Sequence, residues 1–399
     1  MKRFIVAFAI LMVFGFASVA SADMEAVNVS FGSLTLSGNL QAGFSYYIGD
    51  ELLGGESGWQ AVDRQDNYEF YLKRFRFITK GWVLSEKISH FTQTEFVGSA
   101  PKLLDLKMGF HYIPYTAIYF GKYIPKFSFF LPASTTNLYL IDYPLYAGGL
   151  FGGDAQAWRH TGLSFDVCTK WVDAELGIWN GFTGVMGEDG TGYTYAGANF
   201  SDDTNTGKDI NLMIAGKPLD GLRIQFNFWY GQPLAGNEVD DGELTEINNT
   251  LMMYGGGVFY KADFGLVATA EVFMSTLNWA EIEDVREDLD PDSISTMTYN
   301  IMAGFNLNHF TGVPLEILLR YDFWDPNTEN DEDENFGYKD ELTYITFGLN
   351  YYLLQNHAKF SLNYIYKGEA WEDVLNKAGD DTQDGISNDE LKIQVQVAF

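Results

Sequence analysis

The last nine residues of the chain, 391–399, alternate apolar and polar side chains in the manner of a β-strand. Leu391, Ile393, Val395, Val397 and Phe399 fall on one face, and the positions between them are polar or small. A strand left unpaired at the end of a soluble domain would expose an edge that invites pairing with other chains. If the segment instead pairs with the first strand, the sheet closes, and a closed sheet with an apolar outer face is a transmembrane β-barrel. The segment therefore predicts that fold.

The first 22 residues have the pattern of a secretory signal peptide. Lys2 and Arg3 precede an apolar run over 4–19, and a small-x-small cleavage site stands before Asp23. The alternative, a first transmembrane helix, is disfavoured because the apolar run is short. We predict a signal peptide at 1–22, a short periplasmic segment at 23–32 and a barrel at 33–399.

Composition narrows the class further. Beyond residue 22 no apolar run is long enough to cross a bilayer as a helix, although 46% of the residues are hydrophobic and 16% aromatic. The formal net charge of −29 argues against nucleic acid as a partner. The single cysteine, Cys168, excludes an internal disulfide framework.

After residue 32 the chain divides into alternating segments of about ten residues, the length with which a tilted strand crosses a membrane. The sixteen segments span 33–48, 67–80, 88–97, 104–113, 117–123, 158–168, 172–180, 208–217, 221–230, 250–261, 265–275, 296–308, 315–324, 342–354, 358–367 and 389–399. All ten prolines fall between them, where no ladder hydrogen bond is lost. We therefore predict an all-β fold, an antiparallel transmembrane barrel of about sixteen strands.

The connectors between segments are tight turns on one side and long loops on the other, an asymmetry typical of outer-membrane barrels. A chain that starts in the periplasm places the short turns there, so we predict a location in the cell outer membrane. Aromatic residues near the strand ends predict two interfacial girdles. The predicted outer girdle includes Trp229 and Trp324, and the inner one includes Trp82, Trp171, Tyr351 and Phe399.

The connector at 124–157 differs from the other long loops because it is poor in charge and rich in aromatic and aliphatic side chains. A loop of this composition is unfavourable in water, so we predict that it folds into the barrel mouth and narrows it. A cap over the outer rim, or a contact with a neighbouring subunit, is the alternative. Because sixteen strands leave a lumen wide enough for water, the inward loop would be a constriction in a channel.

Three stretches resemble a known family. The basic run at 70–81, the pair of strands at 104–112 and 118–127, and the strand entry at 158–162 are similar to signatures of the phosphate-selective porin O and P family. The resemblance covers about residues 65–168 and implies a sixteen-stranded, often trimeric, outer-membrane channel. The terminal Phe399 resembles the signal that the barrel-insertion machinery reads in bacterial outer-membrane proteins.

The candidate pore-lining residues are charged side chains on the inward face of the strands and on the loop. They are Arg74, Arg76, Lys107, Lys122, Lys126, Asp142, Asp154, Arg159, Asp173, Glu175, Arg223, Glu316, Arg320 and Asp322. Phosphate-selective members line the pore with a dense ladder of bases, whereas bases and acids nearly balance here. Each inward base could equally be half of an ion pair that stabilises the wall.

The long loops are strongly acidic, at 238–243, 281–292, 329–335 and 380–385. Acidic loops raise the local concentration of cations. We therefore predict a porin for passive diffusion of ions and small hydrophilic solutes that is weakly cation-selective or non-selective. Anion or phosphate selectivity is the alternative.

No cofactor is expected, although 380–385 has part of a calcium-loop pattern and loop-bound Ca²⁺ is a possibility. The five histidines show no metal-ligand spacing, so we predict that the protein is not an enzyme. Three other interpretations stay open: a barrel hydrolase using His160 and Asp166, a sheath around a partner such as a multihaem cytochrome, and a transporter of hydrophobic substrates. The expected partners are outer-membrane lipid and lipopolysaccharide, the insertion machinery and two further copies in a homotrimer.

Overall fold

The computed structural model describes most of the chain after residue 26. The described residues are 27–29, 32–48, 51–55, 58–62, 67–150, 158–186, 193–197, 207–240, 243–278, 293–326, 328, 341–369 and 389–399. The predicted signal peptide lies outside them, as do Asp154 and the acidic stretches 281–292, 329–335 and 380–385.

Sixteen long strands form one antiparallel sheet. They are β1 Gly32–Tyr47, β2 Asn67–Val83, β3 Ser85–Glu95, β4 Lys102–Phe110, β5 Thr116–Tyr123, β6 His160–Cys168, β7 Val172–Trp179, β8 Asp209–Leu219, β9 Leu222–Gly231, β10 Thr250–Lys261, β11 Leu266–Asn278, β12 Ser293–Asn306, β13 Leu315–Asp325, β14 Leu342–Leu354, β15 Ala358–Glu369 and β16 Glu390–Ala398. Each pairs with its neighbour in the sequence. A three-residue strand, Val27–Val29, adds to the start of β1.

The sheet closes between its first and last strands. β16 pairs antiparallel with β1 from Asn39↔Ala398 to Tyr47↔Glu390. Gly38 and Phe399 extend the ladder by exchanging two backbone hydrogen bonds, of 2.8 and 3.0 Å. The predicted closed barrel of sixteen antiparallel strands is confirmed, and no strand edge is left between the two ends.

Side chains alternate between an apolar outer face and a mostly polar lumen. In β9, Ile224 and Phe226 are about half exposed on the outer surface, whereas the alternate residues Gln225 and Asn227 are buried. The same alternation runs along β13 and β14. Such a barrel is suited to a hydrocarbon surrounding because the ladder satisfies its backbone groups.

Short turns join the strands at one end of the barrel. Leu84 alone joins β2 to β3 with a φ of 64°, and Asp220-Gly221 joins β8 to β9. A Cβ on Gly221, whose φ is 77°, would lie 2.1 Å from the Lys261 carbonyl oxygen, so this tight turn requires glycine. At the other end, the described parts of three loops form hairpins of their own, at 51–62, 182–197 and 234–248.

Helix is limited, within the described ranges, to two four-residue turns and one 3₁₀ turn. These are Tyr146–Gly149, Asn308–Thr311 and Thr135–Asn137. In the described chain there is no helix with the length and apolar character needed to cross a membrane.

The girdle prediction is partly wrong. Trp82, Trp171, Tyr351 and Phe399 are exposed near the end with the short turns, as expected. Trp229, however, is fully buried in the lumen, where its Nε1 donates to Asp209 Oδ2 at 2.9 Å. The even-numbered residues of β9 face outward, and the odd-numbered Trp229 therefore faces the lumen. The alternation along the strand decides the side of this residue, and its position near the strand end does not.

Candidate functional site

Residues 124–150 of the predicted loop cross the lumen instead of covering the outer rim. Polar side chains of the wall donate to its backbone carbonyls along most of its length. These bonds run from Gln41 to Thr135 (3.2 Å), Lys359 to Leu138 (2.7 Å), Asn350 to Tyr139 (2.6 Å), and Arg320 to Asp142 and Tyr143 (2.9 and 3.1 Å). The inward constriction loop is thereby confirmed, and its position is fixed by β1, β13, β14 and β15.

Wall side chains also accept hydrogen bonds from loop N–H groups. Glu175 accepts from Lys126 and Glu271 from Phe129, both at 2.7 Å, and Asn363 accepts from Ile141 at 2.8 Å. Buried backbone donors need such partners because water does not reach them. The wall therefore supplies the hydrogen-bond partners of these loop backbone groups. In a helix or a sheet, the backbone itself would supply them.

Asp142 is the charged anchor of the loop. Its carboxylate forms salt bridges with Lys73 on β2 and with Lys392 on β16, the latter at 2.9 Å. Burial alone would raise the pKa of Asp142, but the ammonium groups of Lys73 and Lys392 outweigh it and hold that pKa well below its usual range. The carboxylate is therefore ionised at neutral pH and joins two strands through the loop.

A β-bulge explains why Lys73 reaches the lumen. The pairing of β1 with β2 shifts by one residue between Gln41↔Arg74 and Ala42↔Leu72, which leaves Lys73 as the extra residue. A bulge places two consecutive side chains on the same face of the sheet. Lys73 and Arg74 both bond to lumenal groups, so β2 contributes one more base to the lumen than strict alternation allows.

The underside of the loop packs on an apolar part of the wall. Phe127 stacks on Phe273 of β11, with ring centroids 5.4 Å apart, and lies 6.3 Å from Trp229 of β9. Leu131, Tyr146 and further loop residues join Met253, Met302 and Leu318 in one buried cluster. The loop therefore fills the side of the lumen bounded by β7 and β9–β13.

The other side of the lumen keeps a cavity of about 590 Å³. Its wall comes from β1–β7 and β16, and the hydroxyl-bearing loop residues Ser134, Thr135 and Thr136 face that wall. The five bases Arg76, Lys80, Lys107, Lys126 and Arg159 line it, against the three acids Asp105, Asp166 and Glu175. Charged and hydroxyl-bearing side chains thus alternate in this lining with apolar and aromatic ones, a mixture that suits small solutes.

Three of the lining bases form ion pairs. Arg76 pairs with Glu95 at 2.7 Å, Arg159 with Asp105 at 3.0 Å, and Lys126 with Asp166 at 2.5 Å. Among the residues that the structure describes, Lys80 and Lys107 form no salt bridge. Among the lining side chains, the charges without a salt bridge are thus Lys80 and Lys107 against Glu175.

The ammonium group of Lys107 is surrounded by three aromatic rings. Its Nζ lies 4.4 Å from the ring centroid of Tyr119, 5.0 Å from that of Tyr123 and 5.8 Å from that of Phe91. Ring faces attract an ammonium without neutralising it. The position of Lys107 is therefore fixed while its charge is retained.

Several candidate residues lie elsewhere. Asp173 and Arg223 form a salt bridge near the short turns together with Lys217, and Glu316 accepts from Asn350 and Tyr352 beneath the loop. Arg320 pairs with Asp322 at 2.6 Å while it holds the loop. Lys122 is buried but does not line the cavity, and Asp154 lies outside the described residues.

Sequence reasoning missed several charged residues that shape the lumen, among them Lys73, Lys80, Glu95, Glu271, Lys359 and Lys392. Lys80 has the same strand parity as Arg74 and Arg76, and the alternation of β16 places Lys392 on the polar face, so these two had a readable signal. Lys73 had none, because the bulge depends on pairing between strands.

His160 and Asp166 have separate partners. The Nδ1 atom of His160 contacts the Gly181 carbonyl oxygen at 3.2 Å, and its ring packs against Phe182 and Trp229. Asp166 accepts from Ser164 at 2.6 Å and binds Lys126. These contacts place the two residues in different structural roles.

The barrel is similar to solved structures of outer-membrane proteins. Outer-membrane expressed OmpT of Vibrio cholerae matches with a TM-score of 0.56 at 12% identity, over 94% of this chain and 100% of that one. The outer membrane channel DcaP of Acinetobacter baumannii matches with a TM-score of 0.61 at 9% identity, over 93% and 99%. An anion-selective porin from Comamonas acidovorans matches with a TM-score of 0.57 at 13% identity, over 92% and 100%.

The fold is therefore that of sixteen-stranded outer-membrane porins. At these identities the likeness concerns the fold alone. The sequence matches no protein-family model and no curated protein.

Proposed function

We propose that the protein is a non-enzymatic channel for passive diffusion of ions and small hydrophilic solutes across a bacterial outer membrane. One observation carries the proposal: a sealed barrel with an apolar outer face encloses a charged cavity beside an inward loop. A loop that narrows the lumen without filling it selects solutes by size.

The cavity supports a weak preference for anions. After ion pairing, the lining side chains Lys80 and Lys107 stand against the single acidic side chain Glu175, an excess of one positive side chain. The cation preference predicted from sequence rests on acidic loops, three of which lie outside the described residues and whose charges are screened beyond about 8 Å at physiological salt. Membership of the phosphate-selective porin O and P family, which the stretch at 65–168 suggests, is compatible with this polarity.

A sheath around a partner protein is disfavoured. Such a sheath needs a lumen wide enough for a polypeptide, whereas the loop spans this lumen and bonds to strands on several sides of it. The cavity of about 590 Å³ beside the loop has the size of a small-molecule site.

We further propose a homotrimer embedded in lipid and lipopolysaccharide. In support, OmpT of Vibrio cholerae folded in vitro has been solved in a trimer form, which matches with a TM-score of 0.57 at 11% identity over 93% of this chain and 100% of that one. We also propose that Phe399, whose side chain is exposed beside the closing seam, is the signal for the insertion machinery. Crosslinking of purified protein, followed by electrophoresis without boiling, tests the trimer.

Conductance measurement tests the channel itself. Purified protein reconstituted into a planar bilayer should give discrete conductance steps in KCl. A reversal potential measured in a KCl gradient should show a slight preference for chloride. A bilayer that stays sealed despite inserted, folded protein would exclude the channel, and a clear preference for potassium would exclude the proposed polarity.

A further inference from the structure

We propose that the cavity beside the loop contains a binding subsite for small organic anions, with Lys107 as the anion ligand. The inference rests on the proposed function and adds to it a solute class and a residue. The class is a carboxylate attached to a compact apolar or aromatic body.

The first argument is the unused hydrogen-bonding capacity of Lys107. Its Nζ makes only ring contacts among the described residues, with Tyr119, Tyr123 and Phe91. An ammonium carries three N–H donors, and contacts with ring faces leave donors for an oxygen ligand. The other lining bases differ, because Arg76, Lys126 and Arg159 each bind a carboxylate already.

The second argument is the neighbouring positive charge. In the sheet, Phe91 pairs with both Lys80 and Lys107, so the two lysines lie at the same level on either side of β3. Both line the cavity, and neither forms a salt bridge within the described chain. Two ammonium groups without a salt bridge on one wall attract an anion that can approach them directly.

The third argument is the apolar surface around the ammonium. Ile78, Phe91, Tyr119 and Ile124 line the same cavity as the two lysines. An inorganic anion gains nothing from this surface, whereas an apolar body gains roughly 25 cal/mol for each Å² removed from water. Lysine beside aromatic and aliphatic side chains therefore favours an organic anion over phosphate.

Blocking of the ion current tests the subsite in the full-length protein. Benzoate added to KCl should reduce the single-channel current at lower concentration than acetate, inorganic phosphate or uncharged benzamide. The substitution Lys107→Met keeps the length of the side chain and removes its charge. We expect it to weaken the block by benzoate about tenfold, which is the scale of one charge-assisted hydrogen bond.

Lys87→Met is the matched control. Lys87 also places its ammonium over a ring, that of Tyr112 at 5.4 Å, but it lies beside the short turns and does not line the cavity. This variant should bind benzoate as the wild type does. If Lys107→Met fails to fold, Lys80→Met provides a second test. We expect this variant to weaken the block by benzoate about threefold.

The outcomes separate this inference from the proposed function. If the wild type conducts in KCl but benzoate blocks no better than acetate or phosphate, the subsite is wrong and the channel stands. The same conclusion follows if folded Lys107→Met is blocked like the wild type. A wild type without any conductance overturns the channel itself.

Discussion

Lys392 on the last barrel strand and Asp142 in the inward loop form a salt bridge, with 2.9 Å between Nζ and Oδ2. Lys73 of β2 binds the same carboxylate, and Arg320 of β13 donates to the carbonyl of Asp142. Three strands that are far apart in the sequence thus meet at one loop residue. The position of the loop consequently depends on closure of the barrel.

Removal of this charge should loosen the loop. In Asp142→Asn, two ammonium groups lose the carboxylate between them while the backbone anchors remain. Because the carboxylate is a third exposed, we expect a loss of about 1–2 kcal/mol of stability and an increase in open-channel noise. Thermal unfolding in detergent and single-channel recording measure the two effects.

Asp263→Asn is the control for that change, because Asp263 lies exposed in the turn between β10 and β11. It should alter neither quantity. Equal noise in both variants and the wild type would mean that Asp142 does not hold the loop.

The pH dependence of this anchor follows from the lowered pKa of Asp142. A carboxylate whose pKa is depressed by folding stabilises the fold above its unfolded pKa of about 4, and the contribution is lost as the pH falls through the folded value. The difference in noise between wild type and Asp142→Asn should therefore stay constant from pH 7 to about pH 4 and shrink only below it. A difference that already shrinks between pH 6 and 5 would contradict the assigned partners.

The buried indole of Trp229 should contribute far more to folding stability than an exposed indole does. Trp229→Phe removes the hydrogen bond to Asp209 and leaves a void under Phe127. We expect a loss of about 2 kcal/mol, since the bond goes to a carboxylate in a buried site. Trp171→Phe, at an exposed position near the short turns, should leave the unfolding temperature unchanged. Comparable loss in both variants would argue against the lumenal position of Trp229.

The seam between the first and last strands should not tolerate a side chain at Gly38. A Cβ there would lie 2.5 Å from the Arg76 carbonyl oxygen and 2.7 Å from the Phe399 ring. We expect Gly38→Val to cost about 2 kcal/mol or more by overpacking and to lower the yield of folded barrel. Folded barrel is scored by its faster migration on unheated gels.

Gly216→Val serves as its reference, since a Cβ on Gly216 of β8 meets no heavy atom within 4 Å. That variant should fold like the wild type. If the two valine variants give the same yield, the seam is less tightly packed than the distances indicate.

Much of the barrel was predictable because alternation is a local property. The predicted segments 250–261 and 342–354 coincide with β10 and β14, and the others agree to within a few residues. Period-2 patterning and turn residues act over neighbouring positions, so they can be read from one sequence. β3 and β12 deviate most at their starts, since each starts three residues earlier and ends two residues earlier than predicted.

The lumen was less predictable because its contacts join distant parts of the chain. Glu271 binds the Phe129 N–H and Tyr146 of the loop, and no pattern around it indicates this. The bulge at Lys73 reverses the parity that sequence reasoning assumes. Strand alternation places Trp229 in the lumen, but its contact with Phe127 joins residues about 100 positions apart and has no local signal in the sequence.

Because the loop lies off-centre, the two arcs of the wall, β9–β13 and β1–β6, tolerate different amino-acid substitutions. On the arc from β9 to β13, a substitution disturbs a packed interior and is limited by volume. A substitution on the arc from β1 to β6 changes the wall of the open cavity, so it alters which solutes can pass. During evolution, the solute specificity of this chain can therefore change through substitutions on the arc from β1 to β6. The packed arc from β9 to β13 keeps the loop in place and with it the width of the channel.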